Sequence, residues 1–440
     1  SVPAPLFAQT ASELEAAQSL AWAKRFAEAE ARYRAIVARH PQSRAARLGL
    51  ARVVLWQLRY GEAAALFDEL LREDAKDADA IEGRASAAYW SGDLRTAARL
   101  FRRIPERDLA AQSLREIAAV AAPSQRIEAF ALHDDQPLDA ARTEAIATFF
   151  SDPQTRWSAA LGGYRLESER RGTRSGPYVR IDNETTLGRF VVGGSLGLFE
   201  YPDGTRRPIG GASVRYKQFT LRVDHREELA AATSLPTHAS STTATLRWYR
   251  ETARLIAAAE ANERRYFDDN RGHALVAYAV APLFQRGDWT IWGGASTAFR
   301  DTDESRFNVT ATSATLDPSR TFFHYAYRGE YDPYWTPVDL REARAVFAVE
   351  RRFGSARVKL QADGGVARDR GRAFGPDAGL GPFPANVQPF TFERDYRPWR
   401  AGLATDFRVA PQLRLEFGID HSTTVDYRST SIHAAVVRRR

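Results

Sequence analysis

The stretch RPWRAGLATDFRVAPQLRLEFGID, residues 397–420, decides between two readings of the chain. On its first arm Trp399, Ala401, Leu403, Thr405 and Phe407 alternate with Arg400, Gly402, Ala404, Asp406 and Arg408. On its second, Leu413, Leu415, Phe417 and Ile419 alternate with Arg414, Glu416, Gly418 and Asp420. A period of two places the apolar side chains on one face of a β-hairpin and the charges on the other. The arms meet in a tight turn at Ala410-Pro411-Gln412. A soluble protein would bury the apolar face; a transmembrane barrel would turn it to lipid and the charges to a watery lumen. The hairpin alone does not choose.

The rest of the chain does. From Trp157 onward the same alternation recurs in candidate strands 156–166, 177–187, 189–200, 207–216, 218–228, 242–252, 254–266, 273–284, 289–299, 306–316, 321–331, 341–353, 356–366, 397–409, 412–426 and 429–440. These 16 strands put the short connections at Gly188, Lys217, Thr252, Arg286-Gly287, Asp317-Pro318, Gly354 and Pro411 on one side. The longer loops, and neither chain end, fall on the other. Short turns on one side, long loops on the other and an even strand number mark an outer-membrane barrel. No apolar run reaches the roughly 20 residues of a spanning helix, so the chain can cross a membrane only as a closed barrel. Roughly 16 strands leave a lumen wide enough for water unless loops fill it. The segment from Gly364 to Phe392, rich in Gly, Pro and Phe, is the candidate lid.

The inward set predicted from the alternation comprises Arg222, Asp224, Arg247, Tyr249, Glu251, His324, Arg328, Arg344, Glu350, Arg400, Asp406, Arg414, Glu416 and Asp420. Both signs occur at similar density, as expected where neighbouring strands pair charges across a wall.

Upstream, residues 13–107 repeat with a period of 34. Trp22, Trp56 and Trp90 form one column, Ala29, Ala63 and Ala97 a second, Tyr33, Phe67 and Phe101 a third, and Ile36, Leu70 and Ile104 a fourth. The segment resembles the tetratricopeptide family in this length, in the small residues Ala17, Ala51 and Ala85, and in Pro41 closing the first repeat. Gly92 fills the inter-helix turn of the third repeat, where Lys24 and Leu58 stand in the others. Such arrays bury a core between neighbours and offer a concave groove to a partner protein. The tryptophan column is expected to belong to that core. The predicted organisation is a tail (1–12), three repeats (13–107), a helical connector (108–152) and the barrel (153–440), an α + β two-domain fold.

Composition narrows function. The chain has no cysteine, which excludes disulfides and thiolate-bound metals, and no methionine, so that Ser1 is expected to follow a removed secretory signal. Only Lys24, Lys76, Lys217 and Lys359 are lysines among 62 basic residues, and the arginines are interleaved with acids; no basic patch points to nucleic acid. The eight histidines show no metal spacing, and neither GxSxG nor a P-loop occurs. Asp224-His225 and Asp420-His421 are strand neighbours that point to opposite faces, so neither forms a dyad. The expectation is a non-enzyme without cofactor or metal.

Repeats followed by a barrel resemble the outer-membrane exporters of bacterial exopolysaccharides such as cellulose and poly-N-acetylglucosamine, and their smaller barrel relatives. The repeat columns carry the likeness, with Gly329-Glu330-Tyr331-Asp332-Pro333-Tyr334-Trp335-Thr336-Pro337, similar to an aromatic-Ser/Asp-Pro-aromatic segment late in those barrels. The repeat array here is shorter than theirs. The resemblance implies a Gram-negative outer-membrane, porin-like channel exporting a polysaccharide, its repeats docking periplasmic or secretion-complex proteins. The competing expectation is a plugged barrel that anchors a secretion or surface-assembly complex.

Overall fold

The computed structural model describes residues 4–135, 138–168, 172–229, 234–317, 322–331, 333–376, 387–424 and 428–439. They form two compact units, residues 1–122 with 150–156, and 123–149 with 157–440.

The first unit is helical: α1 (Ala4–Trp22), α2 (Phe26–Arg39), α3 (Arg44–Trp56), α4 (Tyr60–Glu73), α5 (Ala78–Trp90), α6 (Leu94–Phe101) and α7 (Asp108–Val120). Residues 4–12, expected to be a tail, are the first turns of α1. Three of the sequence columns are core: the alanine column 29/63/97, the aromatic column 33/67/101 and the aliphatic column 36/70/104 are all buried. The turn column explains itself by backbone: Lys24, Leu58 and Gly92 adopt φ of 59°, 62° and 87°. That left-handed conformation is cheap only for glycine.

The tryptophan column departs from expectation. Trp22, Trp56 and Trp90 are 76%, 46% and 65% exposed. Each is the last residue of its helix, where the chain has already turned away from the packed seam. A column overlooked in the sequence takes over the packing role: Gly49 and Gly83, also 34 apart, receive the rings of Tyr33 and Phe67 from the preceding repeat. A Cβ on Gly83 would lie 2.2 Å from two ring atoms of buried Phe67.

The second unit is a sheet closed on itself, built from β1 (Ser124–Asp134), β2 (Leu138–Asp152), β3 (Thr155–Ser168), β4 (Gly172–Leu187), β5 (Phe190–Glu200), β6 (Arg206–Tyr216), β7 (Phe219–Glu227), β8 (Ser240–Thr252), β9 (Leu255–Tyr266), β10 (Arg271–Arg286), β11 (Trp289–Thr302), β12 (Phe307–Asp317), β13 (Phe322–Tyr331), β14 (Leu340–Phe353), β15 (Ala356–Pro376), β16 (Val387–Tyr396), β17 (Trp399–Ala410), β18 (Leu413–Thr423) and β19 (Arg428–Arg439). The ring runs β1 to β11, then β14, β15, β17, β18 and β19, and β19 pairs antiparallel with β1 to close it. It has the expected 16 strands, but two strands enter the ring and two leave it.

Residues 124–152, read as helical connector, are the wall strands β1 and β2. They are rich in alanine, a helix former, and what makes them strands is pairing with each other and with the far end of the chain. Conversely β12 and β13 form a hairpin outside the ring, because β11 pairs directly with β14 (Thr297 opposite Ala343). The expected lid is also rewritten. Residues 364–376 continue β15, which leaves β17 after Gly364 and pairs with β16 from Ala367 onward. Residues 377–386 of that segment lie outside the described residues.

The short turns recur at the expected places except Asp317-Pro318, which belongs to the β12–β13 hairpin off the ring and whose Pro318 lies outside the described residues. Two-residue turns follow β2, β4, β6, β8, β10, β14 and β17, and Gly188, Lys217, Gly287 and Gly354 supply positive φ in four of them. Ser124 opens β1 and Arg439 closes β19 at this same end.

Two stability predictions follow from the first unit. Gly83→Ala gains about 1 kcal/mol of helix propensity but overpacks Phe67 at about 1–3 kcal/mol. Chemical denaturation of the variant is expected to show a net loss of stability. Asp77 caps α5 by accepting from the backbone N–H of Asp79 and Ala80, and accepts Arg44 Nε at 2.7 Å. The Arg44 guanidinium holds its carboxyl below the usual carboxylate range, against an opposing contribution from burial. A carboxyl depressed in the folded state contributes stability above its unfolded pKa of about 3.9, lost as pH falls through the folded value. Helix circular dichroism should therefore report undiminished stability down to about pH 4 and a decline below it, a decline that Asp77→Asn abolishes in part.

Candidate functional site

The alternation fixes the two faces of the wall. Ile127, Leu161, Ile181, Leu196, Leu221, Leu246, Leu275, Phe347, Leu360 and Phe417 are large, apolar and exposed on the outside. So extensive an apolar surface belongs in lipid.

The opposite face carries charges joined in pairs. At the closing seam Arg126 binds Glu128 at 2.7 Å and reaches over β19 to Glu416 at 2.8 Å. Arg180 links Asp182 at 3.0 Å to Glu144 at 3.4 Å. Farther round, Arg222 meets Asp224 at 2.5 Å, and Arg344 bridges Glu342 to Asp363, the latter at 2.6 Å. Arg400 meets Asp420 at 2.8 Å, and Arg414 meets Asp406 at 3.3 Å. Glycines let neighbouring backbone approach on this wall: a Cβ on Gly365 would lie 1.9 Å from the carbonyl oxygen of Ala343.

The sequence-selected residues are thus brought together in small groups rather than at one centre. Arg222 with Asp224, Arg400 with Asp420 and Arg414 with Asp406 pair among themselves. Arg247 lies over the Tyr249 ring at 5.5 Å, and the Tyr249 hydroxyl donates to Glu251 at 2.6 Å. Glu350 is held by Arg352 at 2.8 Å. His324 and Arg328 belong to β13, so their backbone stands outside the ring and they are not wall residues, contrary to expectation. Missed in the sequence were Arg126, Glu128 and Glu144, which stand on the two strands read as helix.

At the end opposite the two-residue turns the inner face becomes aromatic. Tyr164, Leu166, Tyr178, Phe199 and Tyr201 form a buried cluster with Leu138 and with Leu235 from the β7–β8 loop. Tyr164 and Phe199 stack at 4.5 Å. Ser234, beside Leu235, donates its hydroxyl to the carbonyl oxygen of Pro333 at 2.7 Å. The segment leading from β13 into β14 therefore meets a loop from the other side of β9, β10 and β11.

That segment, 333–339, is tied down along its length. Tyr334 is 1% exposed and stacks on Tyr266, whose ring faces inward, at 3.7 Å and 10°. Its hydroxyl donates to Asp268 at 2.6 Å and accepts from Asn270 at 3.3 Å. Asp268 also binds Arg306 at 2.7 Å. Thr336 accepts the Arg306 backbone N–H at 2.6 Å, Thr302 donates to the Pro337 carbonyl at 2.7 Å, and Arg300 lies over the Trp335 ring at 5.7 Å. Burial alone would raise the Asp268 carboxyl; the Tyr334 hydroxyl and Arg306 outweigh it and hold it below the usual carboxylate range. Burial pushes the Tyr334 hydroxyl up, so it remains a donor across physiological pH. This is the stretch that carries the exporter likeness, whereas the sequence points to the glycine-rich segment 364–392 as the lid. Among the described residues no cluster of His, Asp or Glu has the arrangement of a metal site.

Comparison with known proteins agrees with this geometry. A tetratricopeptide-repeat family model matches residues 20–79. No curated protein sequence matches the chain. The structure is similar to a bacterial polysaccharide outer membrane secretin, with a TM-score of 0.50 and 10% identity over 73% of this chain and 99% of that one. Weaker likenesses are to CdiB from Acinetobacter baumannii (TM-score 0.39, 8% identity, 72% of this chain and 60% of that one) and to the Pseudomonas aeruginosa protein OccK2 in complex with glucuronate (0.32, 8%, 72% and 98%). At such identities what is shared with the first is the fold of an outer-membrane barrel.

Tyr334→Phe removes the donor to Asp268 and leaves the stacking on Tyr266. Losing a hydrogen bond to a charged, partly buried group costs about 1.5–3 kcal/mol. Amide exchange over 333–339 is expected to quicken by roughly tenfold or more, while exchange in the wall strands stays unchanged.

Proposed function

We propose that the barrel is an outer-membrane conduit through which a polysaccharide leaves the cell, and that the repeat unit lies in the periplasm and docks partner proteins. The observation that carries this reading is the inner wall: charges on β1, β2, β4, β7, β14, β15, β17 and β18 are joined in pairs and give way, at the loop end, to stacked aromatic rings. A sugar chain needs hydrogen-bond partners that exchange without one deep binding site, and paired side chains provide them. Aromatic faces provide sliding apolar contact for pyranose rings. The chain would move passively, driven by synthesis elsewhere, and no catalytic step is assigned to this protein. Turnover of phospholipid or peptide substrates by the purified protein would overturn that last point.

A second reading has its own observation. The tethered segment around Tyr334, bonded to Ser234, favours a plugged barrel that anchors a surface-assembly complex. Planar-bilayer recording separates the two. Under export, the double variant Tyr334→Ala, Trp335→Ala should conduct more per channel than the unaltered protein, and soluble polysaccharide fragments should reduce that current. A variant without ion conductance sinks export and leaves the anchor.

A further inference from the structure

The outward face of the wall is not used by either reading. On β14 it presents Arg341, Ala343, Ala345, Phe347, Val349 and Arg351 in turn. Ten residues separate the two arginines. At about 3.4 Å per residue and a tilt of about 40°, that is roughly 26 Å across the sheet, the height of the apolar band of a membrane barrel. The arginines therefore mark its two boundaries. At the turn side Arg351 is engaged by rings, 4.8 Å from the centroid of Trp289 and 5.5 Å from that of Phe353. At the loop side Arg341 stands next to a second cation.

That cation is Arg368 on β15, directly opposite Arg341 in the register. Both point outward, with side chains 70% and 64% exposed. Like charges opposite one another weaken a sheet. Their acids come from outside the pair: Arg341 binds Asp339, ahead of β14, at 2.9 Å, and Arg368 binds Asp395, on β16, at 2.7 Å. Ion pairs so exposed contribute little. From the two guanidinium groups towards the middle of the band the outward face is cut back to small side chains. Thr297 lies opposite Ala343 and Ala343 opposite Val366, and Ala345 opposite Gly364 continues the same floor. Phe299, opposite Arg341, walls a groove of about 490 Å³ over Thr297, Ala343 and Val366, with the two arginines at its loop-side rim.

We propose that this groove binds an anionic, phosphate-bearing lipid of the loop-side leaflet, its phosphate between Arg341 and Arg368 and one acyl chain along the small-residue floor. Two features commit the groove to lipid. It is continuous with the apolar outer face of the ring, so an acyl chain reaches it without leaving hydrocarbon. Its rim is a guanidinium pair, and each guanidinium offers parallel N–H donors that match a phosphate, so one phosphate set between the two relieves their repulsion. The groove lies wholly within the barrel unit. The inference rests on the barrel spanning a membrane and not on its cargo, so it stands or falls separately from polysaccharide export.

Because the chain has no cysteine, single labels read the groove in the full protein. Ala295→Cys and Leu196→Cys, each carrying bimane, are reconstituted in phosphatidylcholine vesicles. Both positions face outward and are the seventh of their strands after a two-residue turn, so they sit at matching depth. Ala295 lies opposite Ala345 beside the floor of the groove, and Leu196, on β5, is the control elsewhere on the ring. Phosphatidylglycerol spin-labelled on one acyl chain should quench the bimane at 295 several-fold more than the same amount of spin-labelled phosphatidylcholine, while the two lipids quench equally at 196. The excess at 295 should vanish when Arg341→Gln and Arg368→Gln are added with strand circular dichroism retained. Equal quenching by the two lipids at 295, or the same excess at 196, overturns the inference without recourse to the double variant. An excess that survives the double variant overturns it too. So does an excess abolished by inorganic phosphate but not by chloride of equal ionic strength, in favour of a free-anion site.

Discussion

Everything in the barrel depends on β1 finding β19. Inside a bilayer there is no water to satisfy a backbone N–H or carbonyl, and an open sheet edge would leave a row of them exposed to hydrocarbon. Eleven consecutive register pairs, Ser124 with Arg439 through Asp134 with Ser429, remove that edge. The seam is reinforced on the inside by Arg126, which crosses β19 to reach Glu416. The apolar outer surface and the charged inner one are both consequences of this closure, because only a ring has a lipid side and a sheltered side.

The inner face then has to solve a second problem. Charges facing a lumen are partly desolvated and need partners, and the strands supply them in three ways: along one strand, as Arg222 to Asp224; between neighbours, as Arg400 to Asp420; and across an intervening strand, as Arg126 to Glu416. No single group is left as a deep trap for a charged ligand in these clusters. At the loop end the same wall turns aromatic, and the Tyr334 segment is clamped there by stacking, a carboxylate and two guanidinium groups. The proposed conduit and the proposed anchor differ only in whether that clamp yields.

Legibility in the sequence followed the range of the interactions. The helical repeats were readable because their contacts recur every 34 residues, and so were the faces of each strand, because alternation is local. Even there the tryptophan column misled: recurrence reports that a position is equivalent in each repeat, not that it is buried, and the glycines at 49 and 83 were the true packing signal. Ring membership was not readable. Alanine-rich 124–152 resembles helix until its partners at 428–439 are known, and nothing local to 307–331 reveals that β11 and β14 pair over it. The inner residues on those strands, Arg126, Glu128 and Glu144 on the one hand and His324 and Arg328 on the other, were missed or misassigned for the same reason.

The seam also sets the order of events during assembly. Its two strands are the first and last of the barrel, separated by nearly the whole length of the unit, so the ring carries the largest loop-closure entropy the sheet could impose. The repeats, whose contacts are sequence-local, can fold while the wall is still incomplete. Until β19 arrives, β1 keeps one unpaired edge while its other edge is already held by β2. The seam is thus the last part of the sheet that can form, after every sequence-local hairpin has found its register.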